Sequence, residues 1–133
     1  MKPNQTLDCL RMDSHSPEAR EAVASILNGK KLDLLFIDGD HSEAGVREDF
    51  LNFAAFVRTG GLIAFHDIVP HNVHLSCQVH VFWAQLKSVM NTVEIIDRDG
   101  FDCWGGIGVV YVPDSGVTDI TNKIRSLADC NSK

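Results

Sequence analysis

Two short apolar runs dominate the polarity pattern of this chain. Residues 32–37 lead into Asp38, Gly39, Asp40 and His41, and residues 62–65 lead into His66 and Asp67. Each run has the length of a buried strand, and the segment between them repeats its apolar residues at helical spacing. Strand, helix and strand, with polar side chains gathered where both strands end, is how a parallel α/β sheet presents chemistry.

The flanking pattern extends this unit in both directions. Residues 7–12 alternate imperfectly and predict a short strand. Ser16 and Pro17 then supply the cap and first residue of a helix whose inward positions are Ala19, Ala22, Val23, Ile26 and Leu27, stopped by Asn28 and Gly29. The second helix is expected from about Ser42, with Val46, Phe50, Phe53, Ala54 and Val57 inward, Arg47, Glu48 and Asn52 outward, and Gly60-Gly61 closing it. A loop with Pro70, His71 and His74 precedes a third helix carrying Val79, Phe82, Trp83, Leu86 and Met90 on its inner face. Residues 93–96 and 107–112 read as strands with no helix between them, hence an antiparallel hairpin, and residues 117–127 read as a last helix with Ile120, Ile124 and Leu127 inward. The expectation is an α/β fold, mostly parallel, with a carboxyl-terminal antiparallel hairpin and flanking helices.

Composition narrows the function. A chain of 133 residues with 44% hydrophobic and 23% charged residues is expected to form one domain with its own core. Its formal charge of −6 speaks against nucleic acid and anionic membrane surfaces as partners. The four cysteines, Cys9, Cys77, Cys103 and Cys130, are scattered and read as reduced thiols of a cytoplasmic protein. Residues 1–6 carry no signal-peptide core, and no apolar run reaches the roughly 18 residues that span a bilayer.

The string from Phe36 through Asp38, Gly39, Asp40, His41 and Ser42, with Gly45-Val46, Asp49-Phe50, residues 60–67, Phe82-Trp83 and residues 106–109, resembles a methyltransferase family. This is the class I S-adenosylmethionine-dependent type found beside sugar- and antibiotic-tailoring genes, and the resemblance covers the carboxyl-terminal half of that partial Rossmann-like sheet, about residues 32–112. More distantly the chain is similar to the catechol-type metal-dependent O-methyltransferases. That similarity implies Asp38, His66 and Asp67 as ligands of a divalent cation and His41 as the base near an acceptor hydroxyl. The catechol-type enzymes carry a carboxylate where this chain has His66, and an imidazole shifts the preference from Mg²⁺ toward Mn²⁺, Fe²⁺ or Zn²⁺. Asp13 and Ser14 match the short polar motif near the adenine of S-adenosylmethionine. The glycine-rich turn and the acidic strand end that hold most of that cofactor find no room before Leu7.

The resemblance therefore implies a truncated methyltransferase domain. Without the family's neighbouring strand, the strand ending at Asp38 becomes a sheet edge, covered by residues 7–12, by a second copy of the chain, or by a complementary amino-terminal half. Two functions follow: metal-dependent methyl transfer to an oxygen of a small molecule, with the cofactor half supplied by another chain, or a catalytically inactive remnant acting as a self-associating or partner-binding module. A metal-dependent hydrolase is a weaker third reading, because the D-x-H and G-N-H-D elements of metallophosphoesterases are absent. Asp40 has a second role open to it as a helix cap. His71 and His74 read as exposed loop residues, His80 as a helix-surface residue, His15 as part of a helix entry, and Trp83 as core. Trp104 reads equally as a ligand cover or a loop anchor.

Overall fold

The computed structural model describes residues 4–70, 76–97 and 105–130, with side chains up to residue 126. Its elements are α1 (Pro17–Leu27), β1 (Leu32–Ile37), α2 (Glu43–Phe53), a 3-10 turn (Ala54–Phe56), β2 (Val57–Val69), α3 (Val79–Val89), β3 (Thr92–Ile95), β4 (Gly105–Tyr111) and α4 (Val117–Cys130). The strands form one sheet in the order β1-β2-β4-β3. β1 and β2 are parallel, while β4 pairs antiparallel with both β2 and β3. Three strands thus share one direction and the reversed β4 is inserted among them, which is the mixed α/β sheet with a closing hairpin that the pattern predicted.

Local chemistry accounts for the helix starts. The Ser16 hydroxyl accepts from the Ala19 amide and Pro17 occupies the first turn, where its missing N–H is no loss. Asn28 ends α1 in the left-handed conformation, at φ 46°. The Ser42 hydroxyl caps α2 in the same way, accepting from the Gly45 amide at 3.0 Å.

The core lies on one face of the sheet. Phe50 of α2, Phe65 of β2 and Phe82 of α3 are fully buried and mutually in ring contact, with centroids 5.7–6.1 Å apart, and Trp83 stacks on Phe65 at 5.8 Å. Ile120 and Ile124 of α4 close the same cluster, which also holds Ile37, Ile63 and Val110. Trp83 donates its ring N–H to the Glu94 carboxylate at 2.7 Å, so the one polar atom of this aromatic is satisfied at the core's edge. Gly108 of β4 makes room for that ring: a Cβ there would lie 2.6 Å from it.

The opposite face of the sheet is open. Leu34 and Phe36 of β1, Val93 and Ile95 of β3, and Tyr111 of β4 are all exposed on it. In the strand registers Leu34 and Tyr111 both oppose Leu62, and Phe36 and Val109 both oppose Ala64. These side chains therefore form one continuous apolar surface that no described helix covers.

Four expectations are corrected. Residues 7–12 form no strand and are exposed throughout, since an alternating segment without a hydrogen-bonded neighbour gains nothing from extension, and β1 remains an edge. The second helix stops at Phe53, and Val57, expected on its inner face, opens β2 in register with Leu32. Gly60 and Gly61 lie inside β2, where the partner of β1 jumps from Val57 to Leu62. Gly60 there takes φ 66°, and a Cβ on Gly61 would strike Val57 and the Arg58 carbonyl. In α1 only Ala19 is buried and Ile26 is exposed, and the helix is held instead by Arg20, which donates to the Asn52 carbonyl and covers the Phe56 ring. His71, His74, Cys103, Trp104 and the Leu127 and Cys130 side chains lie outside the described residues.

Gly108→Ala is expected to destabilise the fold by about 1–3 kcal/mol, because the added methyl must displace a packed indole ring. Urea unfolding followed by tryptophan fluorescence checks this; an unchanged midpoint would mean Trp83 is not packed against β4.

Candidate metal and acceptor site

The parallel ladder builds the site. Ile37 pairs with Phe65, so the residues that follow, Asp38 and His66, emerge side by side at the carboxyl ends of β1 and β2. In a regular strand His66 and Asp67 would project to opposite faces. Asp67, however, takes φ 59°, rare for a residue with a side chain, and the β2–β4 register is interrupted between His66 and Val69. This kink brings the His66 Nδ1 and the Asp67 Oδ1 within 3.0 Å of each other. The Asp38 Oδ1 lies 3.7 Å from the same nitrogen. One donor atom each from Asp38, His66 and Asp67 falls within a 4.8 Å group, and the His66 Nδ1 is buried without a hydrogen bond of normal geometry.

His41 completes the cluster from the loop between β1 and α2. Its Nε2 stands 2.9 Å from the Asp67 Oδ2 and 3.9 Å from the Asp38 Oδ1. Asp67 is buried and faces one imidazole with each oxygen, whereas His41 and Asp38 are half-exposed and open to a ligand. The backbone of His41 is pinned by the Gln78 amide, which donates to its carbonyl at 2.7 Å and ties the loop to the start of α3.

The loop itself is held by two glycines and two carboxylates. Asp40 accepts from the Ser42 amide at 2.7 Å, and this bond, with that of the Ser42 hydroxyl, holds its carboxyl below the ordinary value of 3.8. Asp40 therefore braces the turn before α2, whose cap is Ser42 and not Asp40, and Gly45 leaves space for its side chain. Asp49 is buried under Gly39, where a Cβ would lie 3.1 Å from its Oδ2, and its Oδ1 is 3.5 Å from the His15 Nε2. That His15–Asp49 pair was not singled out from sequence. The available signal was a carboxylate in the inward stripe of α2, next to Phe50 and three residues after Val46.

Asp13 and Ser14 are not brought into the cluster. Asp13 is exposed and accepts from the His15 amide, while Ser14 lines a cleft of about 260 Å³ with Leu35, Asp38, Gly39, Asp49 and Phe53. Cys77, buried nearby, has its thiol pushed up by desolvation and stays protonated. No described helix is long and apolar enough to cross a membrane.

Residues 4–68 match a family model described as a methyltransferase domain. The matched span starts earlier than the resemblance read from the motifs and stops within β2 at residue 68, so it contains Asp13, Ser14, Asp38, His41, His66 and Asp67. The match supports a methyltransferase family and, with it, S-adenosylmethionine-dependent methyltransferase-like function; a methyltransferase domain implies use of that cofactor.

The lowered Asp40 carboxyl carries a sign. A depressed folded value contributes stability that is present above the unfolded value and lost as pH falls through the folded one. Asp40→Asn keeps an acceptor for the Ser42 amide but removes the charge. Its urea midpoint is expected below wild type at pH 6, with the difference shrinking as pH falls below the carboxylate range; an unchanged midpoint at pH 6 would show that the charge contributes nothing.

Proposed function

We propose that this domain takes part in metal-assisted methyl transfer from S-adenosylmethionine to a hydroxyl of a small molecule. The observation that carries the reading is the convergence of Asp38, His66 and Asp67 on one point with His41 beside them, inside a span that matches a methyltransferase domain. Two carboxylates and a buried imidazole nitrogen suit Mn²⁺, Fe²⁺ or Zn²⁺ better than Mg²⁺. A divalent cation held there supplies Lewis acidity that lowers the pKa of an acceptor hydroxyl.

The chain's own residues do the rest. The His41 Nε2 faces Asp67 and Asp38, which sets this imidazole beside the point where an acceptor hydroxyl would lie. In the transfer the methyl carbon forms its bond to the acceptor oxygen as its bond to the sulfonium sulfur breaks. Sulfur keeps that electron pair, and the hydroxyl proton passes to the His41 imidazole. Ser14, which lines the cleft adjoining Asp38, would contact the cofactor's nucleoside, with the rest of the cofactor site supplied by another chain.

A second reading, a catalytically silent self-associating module, is favoured by the exposed β1 edge and the open sheet face. The two separate experimentally. Purified protein is expected to bind about one Mn²⁺ or Zn²⁺ per chain, and Asp38→Ala/Asp67→Ala to lose at least tenfold in affinity by calorimetry. Equal metal content in both would remove the ligand assignment. His41→Ala is expected to keep the metal while lowering methyl transfer to a catechol-type acceptor by about 10²–10⁴-fold. Failure of calorimetry to detect S-adenosylmethionine binding in the full-length protein would favour the silent module.

A further inference from the structure

The buried stripe of α2 holds Val46 and Phe50, and between them it carries a carboxylate, Asp49, whose side chain is only 7% exposed. A buried charge costs free energy that an aliphatic residue in the same stripe would not, unless a partner offsets it. The partner is His15, at the entry to α1. Its Nε2 donates to the Gly45 carbonyl at 3.2 Å, since a carbonyl can only accept, and stands 3.5 Å from the Asp49 Oδ1.

This pair touches both sides of the candidate site. The Asp49 Oδ2 lies so close to Gly39 that a Cβ there would stand 3.1 Å from it, and Gly39 is the link between Asp38 and Asp40. Asp40 in turn fills the space that a side chain on Gly45 would take, and Gly45 is the residue whose carbonyl His15 holds. In the other direction, His15 follows Ser14 directly. Its amide donates to the Asp13 carboxylate at 3.0 Å, and the Ser16 amide donates to the Asp13 carbonyl at 3.1 Å, which closes residues 13–16 into a turn. Ser14 and Asp38 line the same cleft together with Gly39 and Asp49. One buried contact thus joins the turn carrying Ser14 to the loop carrying Asp38 and His41.

We propose that His15 and Asp49 are a positioning pair, which holds the loop of residues 38–41 against the Ser14 turn and so fixes where Asp38 and His41 stand. Neither residue touches the reacting atoms. The catalytic meaning rests on the reading of Asp38 as a cation ligand and His41 as the base, whereas the clasp itself is measurable with no cation or cofactor present. A contact that only stabilises the fold makes a different forecast. Leucine shares the branched shape of aspartate and suits an apolar stripe, so Asp49→Leu is expected to keep or raise the urea midpoint while releasing His15 and the loop.

Amide hydrogen exchange by NMR separates the two. The Ser42, Glu43 and Gly45 amides donate at the end of the loop to the Asp40 carboxylate, the Gln78 side-chain oxygen and the Ser42 hydroxyl. In Asp49→Leu these amides are expected to exchange about tenfold faster or more than in wild type, with those of β2 and β4 unchanged. Mn²⁺ affinity, measured by calorimetry, is expected to fall about 10–100-fold in the same variant, as when the support behind a metal ligand is removed. Asp49→Asn keeps an oxygen for His15 and fits against Gly39, and is expected to recover most of both. His15→Leu adds no bulk beside Gly39 and is expected to open the loop as well, which decides the matter even if Asp49→Leu fails to fold. Loop exchange unchanged in His15→Leu would overturn the proposal. So would faster exchange accompanied by an equally lowered urea midpoint, the mark of a purely structural contact. A wild-type protein that binds no Mn²⁺, but whose loop amides respond to both substitutions, would uphold the pair and remove the cation reading instead.

Discussion

Register between two parallel strands is the constraint on which the rest of this molecule depends. Because Ile37 sits opposite Phe65, the residues after them reach the carboxyl end of the sheet together. A slip of one residue would turn Phe65 out of the aromatic cluster and His66 into it. The burial of Phe65 among Phe50, Phe82 and Trp83 therefore holds the register, and the register holds Asp38 beside His66. Packing and candidate chemistry are the same constraint seen from two ends of the strand.

The kink at Asp67 converts that arrangement into a cluster. Ordinary strand alternation would separate His66 from Asp67 by the thickness of the sheet. The left-handed backbone at Asp67 is of a kind that costs about 1–3 kcal/mol where a surrounding structure enforces it, and such strain gathers at functional sites. Here it lets one buried carboxylate face two imidazoles. The supporting layer is equally specific, since Asp49 fills the space under Gly39 and Gln78 fixes the His41 carbonyl.

Burial is one-sided. α2, α3 and α4 contribute to a single core on one face of the sheet, while the other face and the β1 edge stay apolar and exposed. A parallel strand pair is usually covered on both faces, because each face of a buried strand is hydrophobic. β1 has that composition, with Leu34 and Phe36 on one side and Leu35 and Ile37 on the other, but only the second side meets a core. The sequence of β1 is suited to more company than the described residues provide.

Much of this fold is legible in the sequence. The caps at Ser16 and Ser42, the strands before Asp38 and His66, the closing hairpin and the inward faces of α3 and α4 all follow from local spacing and cap chemistry. These are decided within a few residues. The strand predicted over residues 7–12, the buried stripe of α1 and the end of α2 differ from the local pattern, because each depends on whether a distant partner exists. Val57 belongs to β2 only because Leu32 is there to pair with it. In the site, the order of residues along the chain determined which side chains were candidates. Only the tertiary structure decided that His41 reaches Asp67, that Asp49 lies beneath Gly39 and that Asp13 stays outside, because these contacts rest on register, a left-handed kink and loop closure, none of which local sequence encodes.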